Sequence, residues 1–390
     1  MPIDRRRMLT GAGAAGIAGI AASGLPAELL AQSAGSGNAV STEMAPAGPD
    51  PQAKYSVDFA VIGLDHAHIY SMTDAMIRGG GKLKLFLASD PAQIDTFRKR
   101  YGDVKLARSE AEILDDNSIK LVLGAPIPDL RAPLGIRVMR AGKDYLGDKP
   151  AITSLKQLAD VRRAVKETGR KFAIMYSERL EVRSAIQAGY LVDQGAIGKV
   201  IQTINIAPHR VGEPSRPAWF WDKARYGGIL TDIGSHQAEQ FLYYTKSTRA
   251  HVVAAQTGNL NWDKYPKFED FGDMTVSGNG GTGYIRVDWF TPDGLPTWGD
   301  GRLFLLGTEG YIELRKYVDI TGKPGGNHLF VVDKKGIRYL DCSQVHLPFG
   351  PEFIADVVER TSKAQDQEQA LLAAELVLTA QKNASRPISA

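Results

Sequence analysis

The chain has 390 residues, 43% of them hydrophobic and 23% charged, a balance that excludes wholesale disorder, collagen and coiled coil and allows two domains of about 150 residues with large cores. Its 47 Lys and Arg against 44 Asp and Glu leave a formal charge of +3, too even for a phosphate-coating nucleic-acid binder. Cys342 is the single cysteine, so no intramolecular disulfide can form.

Residues 1–35 read as a cleavable export signal: Asp4-Arg5-Arg6-Arg7-Met8-Leu9, then a Gly/Ala-rich stretch, then small residues. The stretch is too short and too rich in glycine to span a membrane, so no span is expected in the mature chain. The Arg5-Arg6 pair with Leu9 resembles the twin-arginine type. That resemblance implies passage of the folded protein through the twin-arginine export machinery, often with cofactor already loaded, to a periplasmic or otherwise exported location. Residues 36–54, rich in Gly, Ser, Ala and Pro, are expected to form a flexible linker.

From residue 55 to 177 apolar runs alternate with helical periodicity. Strands are expected at 57–62, 83–88, 119–123, 145–146 and 172–175, and helices at 67–78, 91–101, 130–141 and 155–168. This spacing predicts an α/β domain of the Rossmann type, a doubly wound parallel sheet of six strands, five of them located by these runs and the one at 145–146 counted as the fifth. From 178 to 390 the pattern changes to an α+β domain with a large, mostly antiparallel sheet. Its helices are expected at 181–193 and 229–244, and its strands at 200–207, 274–276, 283–290, 302–307, 311–315 and 328–332. Final helices at 351–362 and 367–382 carry apolar faces that should pack back on the body.

The first strand ends in Gly63-Leu64-Asp65-His66-Ala67-His68, where a dinucleotide fold carries G-x-G-x-x-G. Gly63 keeps the tight turn, while Asp65 and His68 stand at the second and third glycine positions. Ser89 and Asp90 end the second strand; Asp90 suits a ribose or, equally, the cap of the helix opened by Pro91. Candidate cofactor residues are therefore Gly63, Asp65, His66, His68, Ser89, Asp90, Ala125 and Lys149. Lys149, in Gly147-Asp148-Lys149-Pro150, follows the fifth strand at the carboxyl edge where such sheets build their sites; a surface turn is the plainer reading.

Gly227 and Gly228 open a helix bearing Asp232 and His236, four apart on one face. A carboxylate beside an imidazole raises its basicity and fixes its orientation, as a general base requires. The pair alone reads first as a solvated helix surface. Glu178, Arg179, His209, Arg210, Trp219 and Tyr226 are candidate substrate contacts, since aromatic faces and guanidinium groups suit sugar rings; Trp219 and Trp221 could instead be core or subunit contacts.

Together, the D-K-P after the fifth strand, the segment Leu191 to Val200 and the G-G-x-x-x-D-x-x-x-H resemble the Gfo/Idh/MocA family of glucose-fructose oxidoreductase and inositol dehydrogenase, over nearly the whole mature chain. The resemblance implies NAD or NADP, possession of a sugar or cyclitol substrate, a homo-oligomer, and catalytic roles for Lys149, Asp232 and His236. In that reading His236, oriented by Asp232, takes the hydroxyl proton and Lys149 stabilises the developing oxyanion. Departures from the family pattern are Asp148 for glutamate, Arg131 for histidine, Tyr176-Ser177-Glu178-Arg179 at the usual asparagine-and-arginine turn, and the altered glycine loop. An alternative takes that loop as metal-ligating, with His66, His68, His209 and His236 around a divalent metal in a redox-neutral lyase, hydratase or epimerase. A third reading is a catalytically silent sugar-binding protein.

Overall fold

The computed structural model describes residues 43–386. The expected export signal and the first part of the linker lie outside that range. The described part of the linker is not free. Ala45 is buried, its amide donates to Gln187 Oε1 at 2.8 Å, and the Gly48 amide donates to the Gln344 carbonyl at 2.9 Å. A small apolar side chain with satisfied backbone bonds holds it against the body.

The first half of the body runs β1 (Val57–Ile62), α1 (His68–Arg78), β2 (Gly81–Leu87), α2 (Pro91–Tyr101), β3 (Lys105–Leu106), α3 (Glu110–Leu114), β4 (Ile119–Gly124), α4 (Pro128–Arg140), β5 (Asp144–Asp148), α5 (Leu155–Thr168) and β6 (Phe172–Met175). The six strands are parallel, in the order β3-β2-β1-β4-β5-β6. Phe59, Ala60 and Val61, like Leu121, Val122 and Leu123, are buried on both faces, which requires helices above and below the sheet. Chain order reverses between β1 and β4, so a crevice opens beyond their carboxyl ends. The two-residue β3 has no apolar run that the sequence pattern could reveal.

The second half runs α6 (Ser177–Leu180), α7 (Arg183–Asp193), β7 (Val200–Pro208), α8 (Lys223–Tyr226), α9 (Ile229–Asp232), α10 (Gly234–Thr245), β8 (Ala250–Gly258), β9 (Phe271–Gly278), β10 (Thr282–Asp288), β11 (Arg302–Gly307), β12 (Tyr311–Arg315), β13 (His328–Asp333), β14 (Gly336–Asp341), α11 (Phe349–Glu359) and α12 (Gln367–Asn383). The eight strands lie in the order β14-β13-β12-β11-β7-β10-β9-β8, antiparallel except for the pairing of β7 with β10. Alternate residues of β11 and β12 are buried, giving the sheet one inner face, and α10 packs on β7 and β10. The edge strands β8 and β14 escape the sequence reading because few of their residues are buried. Helix α11 packs on α1, and α12 packs on α5, β6 and α10, so the chain's end returns to the first sheet.

Candidate active site

Lys149 follows β5 and is buried, with its ammonium 3.0 Å from Asp232 Oδ1 at the end of α9. Burial works against the Asp232 charge, but the Lys149 ammonium overrides it and holds the carboxyl below its usual value. The start of α9 depends on close approach: Gly228 has φ +93°, and a Cβ there would sit 2.3 Å from Gln381 Cδ. Gln381 and Glu269 instead accept from the Leu230 and Ile229 amides, each at 3.0 Å, which caps the helix from distant elements.

The expected pairing of Asp232 with His236 is corrected by this geometry. The Asp232 carboxylate is committed to Lys149, and α9 and α10 meet at Ile233, between the two residues. The carboxylate whose field bears most on His236 is Glu178. His236 is 2% exposed and its Nδ1 has no hydrogen-bond partner. Burial drives its pKa well below the usual imidazole value, with Glu178 opposing and Lys149 adding to the effect, so the ring is neutral at pH 7. Glu178 is itself ionised: burial is outweighed by Lys316, whose ammonium lies 2.9 Å from Oε2, and by His236 and His209.

Lys316 is the residue that sequence reading missed. It is buried at the end of β12, donates to Gln240 at 2.8 Å, and lies 138 positions from Glu178, so no local pattern announces it. Asn205, with both amide atoms buried and unpartnered, was missed likewise. A polar residue at an inward-facing position of β7 was the available signal.

His209 lies at the end of β7 against Trp289 and Trp298, with centroids at 5.4 and 4.6 Å, and burial lowers its pKa to about 4. Trp219 is partly buried, 6.4 Å from His66 between ring centroids. Three expected substrate contacts are occupied elsewhere. Arg179 pairs with Glu239 and lies 4.0 Å over the Tyr243 ring. Arg210 donates to the Pro292 and Leu295 carbonyls at 2.8 and 2.6 Å. Tyr226 is a core residue whose hydroxyl accepts from the Glu269 amide at 3.0 Å. Trp221 stacks on Tyr265 at 3.6 Å, a packing contact.

On the other wall, Asp148 is fully buried. His66 Nδ1 lies 2.9 Å from its Oδ2, His68 Nδ1 3.0 Å from its Oδ1, and Arg131 3.0 Å from Oδ2. Burial opposes the charge; Arg131, then His68 and His66, override it, so Asp148 stays ionised. Burial and the neighbouring His68 lower His66 to about 4. Arg131 also donates from Nε to the Pro126 carbonyl at 2.8 Å and from Nη1 to the Lys149 carbonyl, fixing the turn that carries the lysine. His66, His68 and Asp148 form a possible metal-ligand group; His209 and His236, expected with them in the metal alternative, lie outside it.

The crevice above β1 suits a dinucleotide in its backbone. Gly63 has φ +81°, and a Cβ there would lie 2.7 Å from the Pro126 nitrogen, so the tight turn needs glycine. The N-cap of α1, Ala67, makes no side-chain hydrogen bond, and the first amides turn back on the loop instead: His68 to His66 Nδ1 at 3.5 Å, Ile69 to the His66 carbonyl and Tyr70 to the Ala67 carbonyl, each at 3.2 Å. Buried Ala125 follows β4, and its amide donates to the Ile62 carbonyl at 3.3 Å. Ser89 and Asp90 are exposed after β2, and Asp90 is the cap of α2, accepting from Ala92 and Gln93 through Oδ1 alone. Asp65 departs from glycine, yet burial raises its pKa toward the neutral form, against the pull of Arg131.

A parallel sheet with a switch-point crevice, joined to an α+β half whose helices carry Asp232 and buried His236, defines an α/β enzyme architecture of the dinucleotide-binding class. Residues 186–313 match the GFO/IDH/MocA C-terminal domain. A solved structure from Erwinia carotovora atroseptica SCRI1043, provisionally named an oxidoreductase, is 48% identical over 85% of this chain and 99% of its own, with a TM-score of 0.82. The chain belongs to the GFO/IDH/MocA family. It is also similar to a D-xylose dehydrogenase of Paenarthrobacter nicotinovorans, 22% identical over 39% of this chain and 40% of that protein. A scyllo-inositol 2-dehydrogenase (NADP(+)) of Bacillus subtilis (strain 168) is 22% identical over 49% and 54%. The matched region thus spans about half, or less, of these two relatives.

Proposed function

We propose that the protein is an oxidoreductase acting on a hydroxyl or keto group of a sugar or cyclitol, with a nicotinamide dinucleotide as hydride carrier. The observation that carries this reading is the Lys149–Asp232 contact of 3.0 Å in a region where buried His236 keeps Nδ1 unpartnered. The names of the xylose and inositol dehydrogenase relatives support the substrate class.

Gly63, the N-terminal end of α1, Ser89 and Asp90 would hold the dinucleotide, which when bound supplies the acceptor or donor of hydride. Lys149, held by Asp232, donates a hydrogen bond to the reacting oxygen and stabilises its developing negative charge. Neutral His236 accepts the hydroxyl proton, and ionised Glu178 stabilises the imidazolium that results. Glu178 thereby takes the part that the sequence assigned to Asp232. Trp219 and His209 offer surfaces for the sugar ring. We further propose, on the sequence of residues 1–35 alone, export by the twin-arginine route.

The test is nicotinamide reduction measured by absorbance with D-xylose, D-glucose and myo-inositol, using NAD and NADP in turn. Turnover with at least one pair is expected, and Lys149→Ala and His236→Ala should each lower kcat by about 10²–10⁴-fold. Equal turnover in both variants would overturn the assignment.

A further inference from the structure

Asp148 Oδ2 is a buried carboxylate oxygen with no hydrogen-bond partner, although His66 Nδ1 lies 2.9 Å and Arg131 Nη2 3.0 Å away. Neither approach has hydrogen-bond alignment. The His68 amide points its hydrogen at His66 Nδ1 over 3.5 Å, which favours a lone pair on that nitrogen. Two lone-pair-bearing atoms then face each other at 2.9 Å. Such a contact is repulsive unless a cation lies between them. His68 Nδ1, 3.0 Å from Asp148 Oδ1, completes the group, and the donor atoms all lie within 4.8 Å of one another.

We propose that His66, His68 and Asp148 form a binding site for one transition-metal dication of the zinc class. Metal–ligand bonds of about 2.0–2.1 Å in a tetrahedron separate the ligands by about 3.3 Å, so the contacts of 2.9 and 3.0 Å need to open by only a few tenths of an ångström. Two imidazole nitrogens and one carboxylate oxygen select zinc, cobalt or a similar ion over magnesium or calcium, which take oxygen ligands. His68 donates Nδ1–H to Asp148 in the free protein; coordination moves that proton to Nε2, a tautomer change that releases no proton. Arg131 then serves as the outer support of the carboxylate. Three protein ligands leave a fourth position for water or a hydroxyl oxygen, the pattern of an open site. The His66 and His68 side chains are 22% and 35% exposed, so an ion can reach them.

The inference does not depend on hydride chemistry. Its test is titration of the untagged, chelator-treated full chain with Co²⁺, followed by d–d absorption, and with Zn²⁺ by calorimetry. One equivalent should bind with micromolar or tighter affinity. His66→Ala and His68→Ala should each weaken binding by more than about 100-fold, beyond the loss of an outer-shell partner. The ion should raise the thermal midpoint of the native chain and not that of His68→Ala, whose partly exposed side chain can be removed without unfolding. Absence of stoichiometric binding, or affinity unchanged in both variants, would overturn the site.

Discussion

The two walls of the candidate site handle buried charge differently. On the first, Asp148 is neutralised by Arg131 while its Oδ2 faces the His66 nitrogen with no aligned donor. On the second, Glu178 Oε2 accepts from Lys316 and from Gln237, each at 2.9 Å, while its Oε1 and His236 Nδ1 are buried without a partner. On one wall the countercharge lies beside the carboxylate without an aligned bond and two imidazoles crowd the same group; on the other an ammonium is hydrogen-bonded to it directly. Buried ion pairs of this kind owe their cost or benefit to their completeness, so each wall is sensitive to loss of its cation.

That contrast can be broken most severely at Arg131. Arg131→Ala removes the countercharge of Asp148 and the bonds to the Pro126 and Lys149 carbonyls, and should cost about 3–5 kcal/mol in urea unfolding. Lys316→Met should cost somewhat less, about 3 kcal/mol, and a Glu178→Gln, Lys316→Met double variant should recover part of it, because the orphaned charge is gone.

A smaller effect sharpens the comparison through pH. His209 and His236 are neutral in the fold, while in the unfolded chain they titrate near 6.5, so the unfolded state binds more protons below that value. Their stability contribution is complete above about pH 6.5 and declines as pH falls toward 4. Glu181, whose pKa burial raises to about 7 against the opposition of Arg78, acts in the reverse sense: its proton stabilises the fold as pH falls from 7. His209→Gln should therefore flatten the rise of the urea midpoint from pH 4 to 6.5, and Glu181→Gln should steepen it. Least of all, Asp90→Ala should cost about 1 kcal/mol by removing the α2 cap, read in the same unfolding experiment.

Most of the architecture was legible because it rests on local periodicity. The doubly buried run at 57–62 and the alternation at 302–307 and 311–315 each state which face is covered. Edge strands such as β14 state little, since exposed backbone pairing leaves no hydrophobic signature. Within the site, the spacing of Asp232 and His236 located two residues near the same place but misjudged their partners. An i, i+4 relation gives a shared face only along an unbroken helix, and it is silent about an ammonium arriving from another element. Lys149 was legible because carboxyl ends of parallel strands converge by topology; Lys316 was not, because its depth depends on the whole second sheet closing over it.

The triple commitment of Arg131 limits how this loop can be re-engineered. Converting Asp65 and His68 to glycine would restore the usual phosphate-binding fingerprint on paper, yet would also strip Asp148 of the His68 contact that engages its Oδ1. Any such retrofit has to redesign the β5 terminus in the same step, since the glycine loop and the lysine turn share one anionic hub.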